Sequence, residues 1–164
     1  MLYQSINFFL QNNKKYIKFA IVGATSFVVN LAAIWVFIHI LDRIPAVDRL
    51  AEILPIEQKD KLGADIANIL AIEISIIFNF FYSRRWTWNH IEKKHGKLLV
   101  YQCLKFHLAI LPGFVIRAIL FPVLSHVFKM HYSTNTMIGV AIAMILNFLL
   151  YDKIVFAGKK RIKK

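Results

Sequence analysis

Two ionisable residues, Glu73 and Arg117, lie within long apolar stretches of the sequence. If these stretches cross a membrane as helices that rise about 1.5 Å per residue, the two side chains lie about 10 and 17 Å below its outer boundary. An ionised side chain that faces lipid costs on the order of 2.5–3.5 kcal/mol, so both are expected to face the interior of a helix bundle. They form either a structural ion pair or a charge pair that gates or lines a hydrophilic path, with Arg117 open to an anionic ligand.

A second group of polar residues ends one of these apolar stretches, in the segment NFFYSRRWTW (79–88). Guanidinium groups such as those of Arg84 and Arg85 bind phosphate through two parallel hydrogen bonds. The neighbouring indoles of Trp86 and Trp88 are suited to stacking on sugar or polyprenyl carbons. This combination favours a lipid phosphate headgroup at the membrane surface, or anionic phospholipid without a specific ligand.

The segment NFLLYDKIVF (147–156) repeats this pattern at an offset of 68 residues, which aligns Asn79 with Asn147 and Arg85 with Lys153. In the functional interpretation, each amide and the cation that follows it belong to a headgroup site. In the alternative, the amides hydrogen-bond between helices or satisfy backbone groups at a helix end.

A further alignment, at an offset of 87 residues, places Lys18-Phe19 on Lys105-Phe106 and Asn30 on Arg117. The sequence is therefore interpreted as two similar halves. Asn30 and Arg117 then line one central cavity from opposite sides. Alternatively, Asn30 forms a hydrogen bond between helices, an interaction that rarely exceeds about 2 kcal/mol.

The composition is that of a membrane protein, since 58% of the 164 residues are hydrophobic and only 18% are charged. The apolar residues form long runs that predict four membrane-spanning helices. The net charge of +12 does not indicate nucleic-acid binding, because the basic residues flank the apolar runs. The predicted spans are about 17–41, 66–83, 104–128 and 134–155.

Lysine and arginine residues determine the predicted orientation, because fifteen lie on one side of the spans and five on the other. The positive-inside rule then places both termini in the cytoplasm. With two spans per half, the halves are parallel repeats. Residues 1–13 form either an interfacial helix or a frayed tail. Two short helices are predicted at 48–54 and 56–62, and a bend in the third span at Pro112 and Pro122.

No recognisable catalytic or metal-binding pattern is present in the sequence. The single cysteine, Cys103, and the six histidines lack metal-ligand spacing. There is no glycine-rich phosphate loop, no nucleophile elbow and no helical His-Glu pair. We therefore expect neither an enzyme nor a cofactor, and the start of the sequence lacks the features of a cleaved signal peptide.

These residues resemble those of the GtrA-like family of small membrane proteins. The resemblance covers about 16–156 and rests on Lys18-Phe19, on Val22-Gly23 and above all on Asn79-Phe80…Arg85-Trp86-Thr87-Trp88. Trp88 stands where phenylalanine is more usual, and Tyr151-Asp152-Lys153 is a looser copy of the motif. The resemblance implies movement of a polyprenyl-phosphate-linked sugar to the outer leaflet for cell-surface polysaccharide synthesis, with cytoplasmic glycosyltransferases as partners.

The sequence thus predicts an all-α, four-span protein of the bacterial inner membrane, built as two parallel two-helix halves. Because four spans enclose little volume, a homodimer is expected. The predicted function is that of a flippase for a polyprenyl-phosphate-linked monosaccharide. Arg84, Arg85 and Trp86 capture the phosphate at the cytoplasmic rim. A polar route across the core is then provided by Asn30, Glu73 and Arg117.

Two other functions compete with the flippase prediction. The first is a non-transporting membrane anchor that recruits a cytoplasmic glycosyltransferase through the basic residues 84–97 and the C-terminal tail. The second is a small proton-coupled exporter in which Glu73 carries the proton.

Overall fold

The computed structural model describes residues 2–53 and 62–158, with side chains from residue 14 onward except at positions 48 and 51. This part of the chain folds into helices and contains no strand. In chain order the helices are α1 (Leu2–Leu41), α2 (Pro45–Ile53), α3 (Leu62–Tyr82), α4 (Lys97–Leu108), α5 (Leu111–His126) and α6 (Tyr132–Leu150).

Four helical segments of the described chain are long and apolar enough to cross a membrane. This number confirms the prediction of four spans. Each segment begins two to seven residues earlier than predicted, since polar residues before the apolar runs continue the helices; the second also ends four residues later, and the third ends two residues earlier. The segments are Lys14–Leu41, Leu62–Thr87, Lys97–His126 and Tyr132–Val155.

The amino-terminal residues are helical, but they do not form a separate element. α1 is one 40-residue helix that starts at Leu2 and continues through the first span. No proline or glycine lies between Leu2 and Tyr16, and lysines such as Lys14 and Lys15 favour a helix. The alternative of a frayed tail is therefore wrong for residues 2–13.

The loop between the first two spans contains α2, which confirms the short helix predicted at 48–54. The other short helix, predicted at 56–62, lies outside the described residues except for its last position. α2 packs against the start of α3, where a Cβ at Gly63 would lie 3.7 Å from Val47 Cγ1.

The third span is interrupted, as its prolines predicted. α4 ends at Leu108 and α5 begins at Leu111, so Pro112 is the second residue of the new helix. Proline has no N–H to donate to Leu108, four residues earlier, and its ring crowds that carbonyl. Pro122, by contrast, lies inside α5 without ending it.

α5 and α6 form an antiparallel pair that is joined by a buried amide. The side chain of Asn135 on α6 donates from Nδ2 to the carbonyl of Phe121 at 2.8 Å and to Ser125 Oγ at 2.7 Å. Asn135 is only 1% exposed. These two hydrogen bonds therefore fix the position of α6 along α5.

Two helices end in the same way. α3 continues into a π-helical turn at Ser83–Thr87, and α6 continues into another at Tyr151–Val155. Each turn begins four residues after the asparagine of an Asn-Phe pair. Four pairs of aligned positions are all buried, namely Phe80 and Phe148, Ser83 and Tyr151, Thr87 and Val155, and Trp88 and Phe156. The two segments related by the 68-residue offset thus share a local structure.

The chain divides into two compact units. The first unit contains Met1–Ala20 and Arg84–Lys164, of which residues 2–20 and 84–158 are described. The second unit contains Ile21–Ser83. The candidate site described next lies entirely within the first unit.

Candidate functional site

Five aromatic rings pack into a core in the first unit, at the span ends that are predicted to face the cytoplasm. Trp88 stacks on Phe156 with ring centroids 4.4 Å apart and an interplanar angle of 14°. Phe106 stacks on Tyr151 at 4.0 Å and 11°. Phe19 meets the edge of Trp88 at 5.8 Å. All five residues are less than 7% exposed, so packing fixes the positions of their rings.

The carboxylate of Asp152 connects two separate segments at this core. Its Oδ1 accepts a hydrogen bond of 2.8 Å from Trp88 Nε1 and forms an ion pair with the ammonium of Lys15. Lys15 Nζ also lies 5.4 Å from the ring centroid of Trp88 and 5.8 Å from that of Phe148, within cation–π range. The Lys15 side chain is only 15% exposed. Asp152 therefore links α1 to the chain that follows the first π-helical turn.

A basic rim, which we define as Lys18, Arg85 and Trp86, lies next to this linkage. Lys18 Nζ is 5.9 Å from the centre of the Trp86 ring. Arg85 is exposed and Trp86 is half-buried. Two cations beside an indole can bind a phosphate group while the ring contacts an apolar or sugar surface.

Arg84 differs from Arg85 although the two are adjacent. Its guanidinium is partly buried and donates from Nη2 to the backbone carbonyl of Lys94. This contact holds the loop 89–96 against the first π-helical turn. Arg84 Nε is also buried and has no hydrogen-bond partner among the described residues. Arg84 thus supports the loop, and Arg85 is the guanidinium that is open to a ligand.

The predicted site residues at the end of α6 have different surroundings from those at the end of α3. Lys153 is exposed on the second π-helical turn. Asn147 packs against α5, where a Cβ added at Gly113 would lie only 2.7 Å from Asn147 Oδ1. That oxygen is buried and has no hydrogen-bond partner among the described residues. Asn147 therefore packs between α5 and α6, but its oxygen does not make the hydrogen bond that the structural alternative predicts.

Arg117 lies on α5 with its aliphatic stem against α6. Its Cγ would be 3.5 Å from a Cβ at Gly139, so the small glycine makes room for the stem. The residue is half-buried, and its guanidinium has no hydrogen-bond or ion-pair partner within the described part of the first unit. An unneutralised guanidinium at this depth is expensive unless it meets a ligand, water or another helix.

The second unit holds three of the predicted site residues. Asn30 is half-buried on α1, and Asn79 Oδ1 accepts a hydrogen bond of 3.0 Å from Ser83 Oγ. Glu73 is exposed on α3, contrary to the expectation that it faces the interior of a bundle. The covered face of α3 contains Ala67 and Ala71. Glu73 follows Ala71 by two positions, a rotation of about 200° that places it on the opposite face.

A comparison with known protein families now identifies the chain. The model of the GtrA/DPMS transmembrane domain matches residues 18–156, a region that includes both π-helical turns and the basic rim. The chain belongs to the GtrA/DPMS transmembrane-domain family. It is thereby a multi-pass membrane protein.

One curated relative of this GtrA/DPMS domain is a dolichol-phosphate mannosyltransferase from Pyrococcus furiosus. The two are 27% identical over 143 residues, which is 87% of this chain and 34% of the relative. The chain thus spans about a third of the length of the curated relative that it matches.

Two features of the GtrA/DPMS domain differ from the sequence-based expectations for its site. Trp88 was expected at headgroup level, but it is 1% exposed and belongs to the aromatic core. An indole is apolar with one polar edge, so the same residue suits a membrane interface or a core that offers an acceptor. The sequence pattern does not predict Lys15 or Asp152 as site residues. In the chain after Glu92, Asp152 is the single acidic residue, and this was the available signal.

The described residues of the domain do not indicate a metal centre. No group of three or more histidine, cysteine, aspartate or glutamate side chains in this part of the chain is placed to hold a metal ion.

Proposed function

We propose that this protein is a flippase that moves a polyprenyl-phosphate-linked monosaccharide from the cytoplasmic to the outer leaflet for glycosylation of cell-surface polysaccharide. The observation that carries the proposal is the GtrA/DPMS family match across 18–156, which includes the basic rim. A relative named for a dolichol-phosphate substrate supports this lipid class. The setting we propose is a bacterial inner membrane, with both termini cytoplasmic and the two halves as parallel repeats.

The basic rim supplies the chemistry for headgroup capture. Lys18 and Arg85 bind the phosphate, and Arg85 does so through two parallel hydrogen bonds. Trp86 contacts the sugar or the first prenyl unit. In the sequence-based mechanism Arg84 contacts the phosphate directly. In the structure Arg84 donates to the Lys94 carbonyl, so we propose that it holds the loop 89–96 and keeps the adjacent Arg85 in position. Lys153, exposed on the second turn, adds positive charge.

Arg117 provides the contact for the phosphate within the membrane. Its aliphatic stem packs beside Gly139 in the middle of the α5–α6 pair, and its guanidinium has no partner in the described part of the first unit. A phosphate that leaves the basic rim meets Arg117 as the next cation, while the prenyl chain stays in lipid. We propose a homodimer as the form that encloses this route.

A direct binding measurement tests headgroup recognition. Purified protein in nanodiscs is titrated with a short-chain polyprenyl-phosphate mannose, and with the corresponding polyprenol as the uncharged comparison. Lys18→Gln and Arg85→Gln are each expected to weaken binding of the phosphate lipid by about tenfold, the equivalent of one charge-assisted hydrogen bond. Arg49→Gln is the matched control, because Arg49 is exposed on α2 in the other unit. Equal binding of the phosphate lipid and the polyprenol would contradict the proposal.

A second candidate function is that of an anchor for a glycosyltransferase. It is favoured by one observation, namely that the curated relative, which matches over 143 residues, is named a dolichol-phosphate mannosyltransferase. The anchor predicts that reversing the charges of Lys93, Lys94 and Lys97 abolishes co-purification of a cytoplasmic glycosyltransferase. It also predicts that Arg117→Leu has no effect on glycosylation.

A further inference from the structure

We infer that Asp152 is a positioning residue that sets the distance between the two sides of the basic rim, Lys18 on α1 and Arg85-Trp86 on the first π-helical turn. The inference rests on the proposed function, because it concerns the site that binds the lipid phosphate. Asp152 does not belong to the rim itself. It acts through Lys15 on one side and through Trp88 on the other.

The first link runs from Asp152 to Lys18. Lys15 forms the ion pair with Asp152 and lies three residues before Lys18 on the same helix. Residues three apart lie on one face of an α-helix. Fixing the Lys15 ammonium between Asp152 and the Trp88 ring therefore fixes the rotation of α1 that brings Lys18 Nζ to 5.9 Å from Trp86.

The second link runs from Asp152 to Trp86. Trp88 donates to the same carboxylate oxygen that Lys15 contacts, and its ring is held between Phe156 and Phe19. Trp88 is the first residue after the π-helical turn, two positions beyond Trp86. A Trp88 ring that is fixed in position therefore fixes the end of the turn that carries Arg85 and Trp86.

The carboxylate of Asp152 has the same sign of charge as the phosphate that the basic rim is proposed to bind. A carboxylate next to a phosphate site repels the ligand, so its removal should strengthen phosphate binding if charge alone matters. The positioning role predicts the opposite sign. The effect of neutralising Asp152 therefore separates a positioning residue from a bystander.

The test uses the whole protein in detergent micelles and farnesyl phosphate as the probe, with affinity measured by isothermal titration calorimetry. Asp152→Asn is expected to weaken binding by about fivefold to tenfold, the size of a typical coupling between neighbouring groups. Glu92→Gln is the matched control, because it removes an exposed carboxylate from the loop 89–96 of the same unit. Glu92→Gln is expected to leave the affinity unchanged or to raise it slightly.

A conservative variant provides the readout that distinguishes positioning from charge alone. Asp152→Glu keeps a carboxylate that can accept from Trp88 Nε1 and pair with Lys15. Asp152→Glu is expected to bind farnesyl phosphate more tightly than Asp152→Asn, whereas charge alone predicts the reverse order. If Asp152→Asn does not fold, Trp88→Phe replaces it, since this variant keeps an aromatic ring and removes the donation to Asp152.

The outcomes are distinct for the site and for the positioning role. Failure of the wild-type protein to bind farnesyl phosphate would overturn the proposed headgroup site, and the role of Asp152 with it. Normal wild-type binding together with equal or tighter binding by Asp152→Asn would overturn the positioning role alone. Weaker binding by Asp152→Asn, with Glu92→Gln unaffected and Asp152→Glu close to the wild-type affinity, supports it.

Discussion

Trp88 and Phe156 stack face to face, with ring centroids 4.4 Å apart and planes inclined by 14°. They occupy aligned positions in the two segments that the 68-residue offset relates, each directly after a π-helical turn. The two turns are therefore joined through their own equivalent residues. Because π-helical turns occur frequently at functional sites, a core that holds both in register is a reasonable base for a ligand site.

The donation from Trp88 to Asp152 should contribute measurably to stability. Trp88→Phe keeps an aromatic ring on Phe156 but removes the 2.8 Å hydrogen bond, which predicts a loss of about 1.5–3 kcal/mol for a bond to a charged group. Trp88→Ala also opens a cavity and should cost about 3–5 kcal/mol. Thermal unfolding in detergent, followed by circular dichroism, measures both. Trp35→Phe is the control, because Trp35 is 64% exposed. A Trp88→Phe variant as stable as wild type would show that the hydrogen bond contributes nothing.

The sequence predicted the number of spans and the special nature of the two Asn-Phe segments. It did so because the thickness of the hydrocarbon core and the cost of a buried charge act on local runs of residues. The ion pair between Lys15 and Asp152 was not predictable in the same way, since 137 residues separate its members. In the sequence, Lys15 is one of the basic residues before the first span, and Asp152 lies in the looser copy of the motif. Only the packing of α1 against the second turn gives them a shared role.

The contact between Gly113 and Asn147 predicts a pair of compensating substitutions. A Cβ at Gly113 would lie 2.7 Å from Asn147 Oδ1 and 3.3 Å from Asn147 Cγ, so Gly113→Val should overpack the α5–α6 pair and cost about 1–3 kcal/mol. In an Asn147→Ala background the same substitution should cost much less, because the crowded amide is gone. A double-mutant cycle on the midpoint of thermal unfolding provides the coupling. Strict additivity would contradict the packing role assigned to Asn147.

The amide of Asn135 should be the strongest polar link between α5 and α6. Asn135→Leu removes two hydrogen bonds to α5, and bonds between membrane helices average about 0.6 kcal/mol and reach about 1.7. We expect a loss of about 1–2 kcal/mol and faster amide hydrogen exchange in 132–140. Ser133→Ala, an exposed position on the same turn, is the control. Unchanged exchange rates in Asn135→Leu would refute the link.

Substitutions of Arg84 and Arg85 should affect different properties, namely proteolysis of the loop and lipid binding. Arg84→Gln removes the contact with the Lys94 carbonyl, so the loop 89–96 should open and trypsin should cleave at Lys93 and Lys94 several times faster. Arg85→Gln should leave cleavage at the wild-type rate and weaken lipid binding instead. Limited proteolysis in detergent, with fragments identified by mass spectrometry, gives the rates. If both variants changed proteolysis equally, the division of labour between the two arginines would be wrong.

Transfer of lipid between leaflets tests the central claim most directly. Liposomes that contain only the purified protein are loaded with a fluorescent polyprenyl-phosphate monosaccharide, and a membrane-impermeant quencher reports how much has crossed. We predict that the wild-type protein catalyses transfer and that Arg117→Leu loses most of it while binding the lipid at the basic rim with unchanged affinity. Wild-type protein that is folded and binds the lipid but moves none of it would contradict the flippase proposal in favour of the anchor.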